Sequence, residues 1–306
     1  MNKEGLSYHG KTDVRSKYAD EKVIKDINHY TLNMGSGKQI NIYVTDDYDQ
    51  KYGKEFAYGE LGEMLSAIEE KRGFKPYDLP HSSLDIYFYT NESNTPLPPD
   101  RQANTGAWIL NCGTGMPNEI IMNASRLHRD HRQTLVHELS HYFDNQSYFT
   151  MSKNTYLNYG GEDFYFWLSE GAAEYCSCFY YSYPANTKNK LATFDIKDRA
   201  SIFQYAIQQA GGRAKVIEGT SLRSFADIVK ASKGNYGVIL ALYWYIAVQY
   251  GLEQLHLYTK YIAEHYTSSG LISMEDREDT TRKFFNKTES QILEEWLVYF
   301  NYFKSE

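Results

Sequence analysis

His137-Glu138-Leu139-Ser140-His141 is the stretch on which the reading of this chain turns. On an α-helix, residues four apart lie one turn above each other on the same face. His137 and His141 can therefore aim two imidazole nitrogens at one point, a geometry that suits Zn²⁺. Glu138 sits beside that point, where it can take a proton from a water at the metal. Two conditions make the reading specific: the stretch must be helical, and a third ligand must exist.

The first condition is met by what surrounds the stretch. Asp130 can cap a helix start, and Gln133, three residues on, completes a pair resembling a capping box. Leu135, Val136, Leu139, Tyr142 and Phe143 give that helix its apolar faces. Strand patterns precede it at 40–44, 84–89, 107–110 and 119–122, with an amphipathic helix at 60–71. Beyond it the pattern turns helical, with candidates at 166–181, 197–210, 222–231, 236–250, 252–266 and 288–303. Strands first and helices afterwards predict an α+β part followed by a mostly α-helical part. Residues 1–37 are polar and mixed and read as an N-terminal extension or a short lead-in helix. The expected organisation is that extension, an α+β catalytic lobe over 38–181 and a helical lobe over 182–306.

The second condition directs attention to Trp167-Leu168-Ser169-Glu170-Gly171-Ala172-Ala173-Glu174-Tyr175. Glu170 and Glu174 are again one helical turn apart. Gly171, Ala172 and Ala173 are small, which predicts a close approach to the histidine helix. Glu170 would be the third ligand. Glu174 would accept a hydrogen bond from the second ring nitrogen of His137 and so fix its tautomer.

Bulk properties bound the remaining classes. The chain has 306 residues, 23% of them charged and 42% hydrophobic, as expected of a folded globular protein. A net charge of −7 and the lack of a basic run argue against a nucleic-acid partner. The longest apolar run, Val238 to Val248, is far short of the roughly 20 residues that span a bilayer, so no membrane span is expected. The opening MNKEGLSYHGKTD has no apolar core of a secretory signal. Cys112, Cys176 and Cys178 form no disulfide framework, and Cys176 and Cys178, two apart, suit packing better than chelation. His128 and His131 read as exposed residues near the helix start, and His256 and His265 as surface or core residues of a later helix. Asp46, Asp47 and Asp49 read as a solvated turn, since no full calcium-loop pattern follows them. Asp144 reads equally as a group supporting the metal site or as a surface residue.

VHELSHYFD followed by WLSEGAAEY resembles the gluzincin zinc metallopeptidases, and WLSEGAAEY is close to the WLNEGFAEY-type string of zinc aminopeptidases. The spacing from His141 to Glu170 is nearest to the peptidase domain of bacterial collagenases. The stretches Gly234 to Gly251 and Phe284 to Trp296 also resemble peptidase-MA-like domains. The resemblance implies a thermolysin-like N-terminal lobe with a small mixed sheet, a helical C-terminal lobe and an active-site cleft between them. It implies Zn²⁺ on His137, His141 and Glu170, Glu138 as general base, and Glu174 as the supporting carboxylate. For the oxyanion it points to Tyr236, with Tyr243 and Tyr245 as rivals. Gly106-Ala107-Trp108-Ile109-Leu110 lies where the aminopeptidases carry a GAMEN-like string, but it lacks the Glu that holds a free amine. The expectation is therefore a metalloendopeptidase acting on peptides or proteins. An aminopeptidase and a catalytically silent zinc-binding module are the alternatives. An edge strand, 119–123, is expected to pair with extended substrate. The resemblance favours a secreted or cell-surface setting, with the cytoplasm as alternative, and leaves the oligomeric state open.

Overall fold

The computed structural model describes residues 5–15, 23–34, 39–72, 84–90, 107–110, 118–127, 131–144, 164–180, 222–233, 235–265 and 273–304. Contacts group the chain into two compact units, Met1–Ser147 and Tyr148–Glu306.

Among its described residues, the first unit is built on a mixed sheet of six strands: β1 (Ser7–Arg15), β2 (Val23–Asn33), β3 (Gln39–Val44), β4 (Leu84–Tyr89), β5 (Ala107–Leu110) and β6 (Asn118–Asn123). Their order in the sheet is β1-β2-β3-β4-β6-β5. The pairs β1/β2, β2/β3 and β5/β6 are antiparallel, while β3/β4 and β4/β6 are parallel. All six residues of β4, LDIYFY, are buried, as befits a strand at the centre of a sheet covered on both faces. A parallel pair cannot be joined by a hairpin. Helices α1 (Asp46–Tyr52) and α2 (Leu61–Arg72) lie in the crossover from β3 to β4. Helix α3 (His131–Asp144) follows β6 and packs on β5, β6 and α2.

Three expectations are corrected here. Residues 1–37 contain β1 and β2, two strands of the sheet, rather than an extension or a lead-in helix. Their alternation is hidden by irregular pairing: the β1/β2 register shifts between Tyr8 and Lys11 and again between Thr12 and Val14. Gly10 there has φ 89° and Asp26 has φ 55°, conformations that interrupt the period of two. Asp46, Asp47 and Asp49 form the first turn of α1, not a loop. Carboxylates are favoured there by the positive end of the helix. Asp46 also accepts from Lys11 at 2.6 Å and from the amide of Asn28 at 2.8 Å. Finally, β6 is interior, held by β4 on one side and β5 on the other, so the edge beyond it is β5.

The second unit, among its described residues, is helical: α4 (Phe164–Tyr180), α5 (Phe225–Ser232), α6 (Tyr236–Tyr250), α7 (Leu252–His265), α8 (Met274–Phe285) and α9 (Glu289–Lys304). Eleven successive residues of α6, Gly237 to Ala247, are buried. It is the central helix on which α4, α5, α7 and α9 pack. Asn235 caps its start by accepting from the Val238 amide at 3.1 Å. Helix α8, MEDREDTTRKFF, is mostly polar and escapes a reading by apolar periodicity, but Ser273 caps it by accepting from the Asp276 amide at 3.0 Å. The helix expected over 197–210 lies outside the described residues. No helix among the described residues is long and apolar enough to cross a membrane.

Candidate metal centre

Helix α3 presents its histidines as the spacing requires. Leu135, Val136, Leu139, Tyr142 and Phe143 are fully buried and fix how the helix is turned. That rotation puts His137 and His141 side by side, with their Nε2 atoms 3.1 Å apart and their rings nearly perpendicular at 84°. A tetrahedral zinc with Zn–N near 2.0–2.1 Å sets its ligand atoms roughly 3.3 Å apart. The imidazole pair already stands at about that spacing. Glu138 and His141 are both buried.

Helix α4 carries the carboxylates. Glu174 is buried and Glu170, one turn earlier, is half-buried. His137, His141 and Glu170 each offer one ligand atom, and these atoms all lie within 4.8 Å of one another. The group could bind a metal, and it is the one such group of three found among the described residues. Two imidazoles and a carboxylate are the donor types of open, catalytic zinc sites.

The other predicted positions are distributed as follows. Tyr236 opens α6, is 40% exposed, and has its ring 6.1 Å from that of Phe166, which lies one turn before Glu170 in α4. Its rivals are committed to packing. Tyr243 is buried against α4, and Tyr245 donates its hydroxyl to Glu295 at 3.4 Å, with burial raising its pKa above the ordinary phenolic value. His131 is not exposed: it is buried among Tyr48, Tyr52 and Phe56, with Nδ1 3.2 Å from the Tyr48 hydroxyl. Those aromatic residues come from α1 and the turn after it, so only the tertiary fold reveals the burial. His256 is half-buried, and His265 is exposed and stacked on Tyr261 at 3.7 Å. Cys176 and Cys178 are buried free thiols, as a packing role requires. His128, Cys112 and the side chain of Asp144 lie outside the described residues.

No family model matches this chain, and no curated protein matches it. Solved structures that align with this chain include a variant of an M1 zinc metallopeptidase from Deinococcus radiodurans bound to a Tyr-Ser-Ala substrate. It is 11% identical with a TM-score of 0.48, over 95% of this chain and 60% of that one. Two others are variants of a two-domain M1 zinc metallopeptidase, one bound to L-tryptophan (TM-score 0.43) and one to L-arginine (TM-score 0.44). Each is 12% identical over 96% of this chain and 52% of its own. The chain thus spans about half to three-fifths of the length of these structures.

Sequence reasoning missed the partner of Gly171. The small residues after Glu170 were expected to admit the histidine helix, but Gly171 faces α6. A Cβ at Gly171 would stand 2.7 Å from the Cβ of Tyr243 and 2.8 Å from its ring. Rings around the same contact, Trp167 at 6.4 Å and Tyr175 at 5.5 Å from Tyr243, leave little room to yield. In Gly171→Ala, helix propensity would contribute about 1 kcal/mol of stability. Overpacking against a side-chain root costs about 1–3 kcal/mol. The clash should win, giving a lower melting temperature than wild type. A melting temperature above wild type would show that α4 and α6 have space to spare.

Proposed function

We propose that this chain is a zinc-dependent metallopeptidase, an endopeptidase in mode. The observation that carries the proposal is the convergence of His137, His141 and Glu170, with the buried Glu138 directly beside the first histidine. These three donors suit zinc. Zinc held there would supply Lewis acidity, lowering the pKa of water from about 16 toward 7 and polarising the scissile carbonyl.

The chain's own residues do the rest. Glu138 takes a proton from the attacking water and passes it to the leaving amine. The hydrogen bond expected from the second ring nitrogen of His137 to Glu174 is not formed: the buried Nδ1 makes no hydrogen bond among the described residues. Glu174 is buried one turn beyond Glu170 in α4 and adds a second carboxylate to that helix. Tyr236 contributes its hydroxyl to the developing oxyanion. Tyr236 is 40% exposed at the start of α6, whereas Tyr243 is buried against Gly171 and Tyr245 is bonded to Glu295. Extended substrate adds to the sheet at β5, which forms its edge and runs antiparallel to β6. The lack of a Glu in Gly106-Ala107-Trp108-Ile109-Leu110 supports internal cleavage over removal of N-terminal residues.

The test is a peptide library offered in free and N-acetylated form, with zinc content measured on the same sample. The expected result is one zinc per chain and cleavage of both forms, abolished by a chelator and restored by zinc. Cleavage confined to free N-termini would make the protein an aminopeptidase. One zinc per chain without any cleavage would make it a binding module.

A further inference from the structure

Glu289 is 1% exposed, yet it carries a carboxylate at the first turn of α9. Its Oε2 accepts from the backbone N–H of Phe225 at 2.7 Å. Phe225 is the first residue of α5, so its N–H is one of the donors that a helix leaves unsatisfied at its start. The helix's own cap does not use it: Ser224 and Asp227 bond each other's backbone amides in a capping box. Helix α9 has an equivalent internal cap, in which Thr288 and Gln291 serve each other. Glu289 is therefore not needed to start its own helix; it ties the start of another. The other oxygen, Oε1, is buried and has no hydrogen-bond partner among the described residues.

What α5 gains is a fixed position for Phe225. This fully buried ring lies 4.7 Å from that of Trp167, also fully buried. Trp167 belongs to α4 and precedes Glu170 by three residues, about one turn. We propose that Glu289 is a positioning residue for the metal centre, anchoring α5 so that Phe225 braces Trp167 and holds the helix that carries Glu170. The proposal rests on the zinc reading only in what α4 is held for; the brace itself belongs to the fold.

A charged group in this place makes the brace sensitive to pH. Burial pushes the Glu289 carboxyl up to about 7 from an ordinary 4.5, opposed by the Phe225 N–H and by Arg277. The charged groups acting on it are Asp227 from α5 and Arg277 and Glu278 from α8. Because the folded form holds the proton more tightly than the unfolded form, Glu289 favours the fold most below pH 4.5 and progressively less up to about pH 7.

The test uses the full chain without metal and then with zinc, comparing wild type, Glu289→Gln and Glu289→Ala. Hydrogen exchange over 164–180 should quicken several-fold in Glu289→Ala, and zinc should bind about 10-fold more weakly, the low end for losing an outer support. Glu289→Gln keeps an acceptor for Phe225 without the charge. It should restore both properties and flatten the fall in melting temperature between pH 4.5 and 7. Wild-type exchange over 164–180 in a folded Glu289→Ala overturns the proposal. If that variant does not fold, the glutamine variant decides: a fall like that of wild type overturns the proposal, and a flat profile supports it. If no protein binds zinc while the exchange difference persists, the zinc reading fails and the brace stands.

Discussion

Glu138→Gln is expected to bind one zinc per chain and to lose peptide hydrolysis by about 10²–10⁴-fold, the range typical of removing a general base. The substitution keeps the size of a buried side chain while removing its charge and its ability to take a proton. Folding should not suffer, since a neutral amide is cheaper to bury than a carboxylate. The loss should fall on kcat more than on KM, because the proton moves in the transition state and not in substrate binding. Metal analysis and steady-state rates on one preparation check both halves. Full activity in this variant would remove Glu138 from the mechanism.

Glu170→Ala should leave the fold intact and cost about two orders of magnitude in zinc affinity. Four-ligand structural zinc sites bind with an apparent free energy of about 10–16 kcal/mol. One ligand is then worth about 3 kcal/mol, or roughly 10²-fold at 1.4 kcal/mol per decade. The half-buried Glu170 sits in a helix, where alanine is a better residue than glutamate, so the melting temperature of the metal-free protein should hold. Competition with a chromogenic chelator measures the affinity. Wild-type affinity would mean that the third ligand is another residue, and Glu170→Ala would then be as active as wild type.

The metal-capable group was legible because its signal is local. Four-residue spacing on two helices with buried apolar residues says which atoms share a face, and the structure brings His137, His141 and Glu170 within reach of one another. Helix α6 was equally plain, since the apolar run from Val238 to Val248 can only be a buried segment of that length. What escaped depends on distant partners. The Gly10 bulge and the positive φ of Asp26 disguised β1 and β2 as an extension. Chain order places β5 between β4 and β6, whereas pairing puts β6 in the middle, so the edge strand was misassigned. His131 looked like a surface residue because the rings that enclose it arrive from about 80 residues earlier, Tyr48 among them. Gly171 announced a close contact by its size but not with whom.

The irregular pairing of β1 also bears on how the molecule behaves among copies of itself. A sheet whose edge strand runs straight presents a ready template for another chain. Here one edge strand, β5, has only four residues. The other, β1, changes register twice within nine residues and places Lys11 between its two irregularities. Among the described residues neither edge offers a long uninterrupted ladder: β5 has room for a short extended peptide, whereas a long strand from a neighbouring copy finds no matching run.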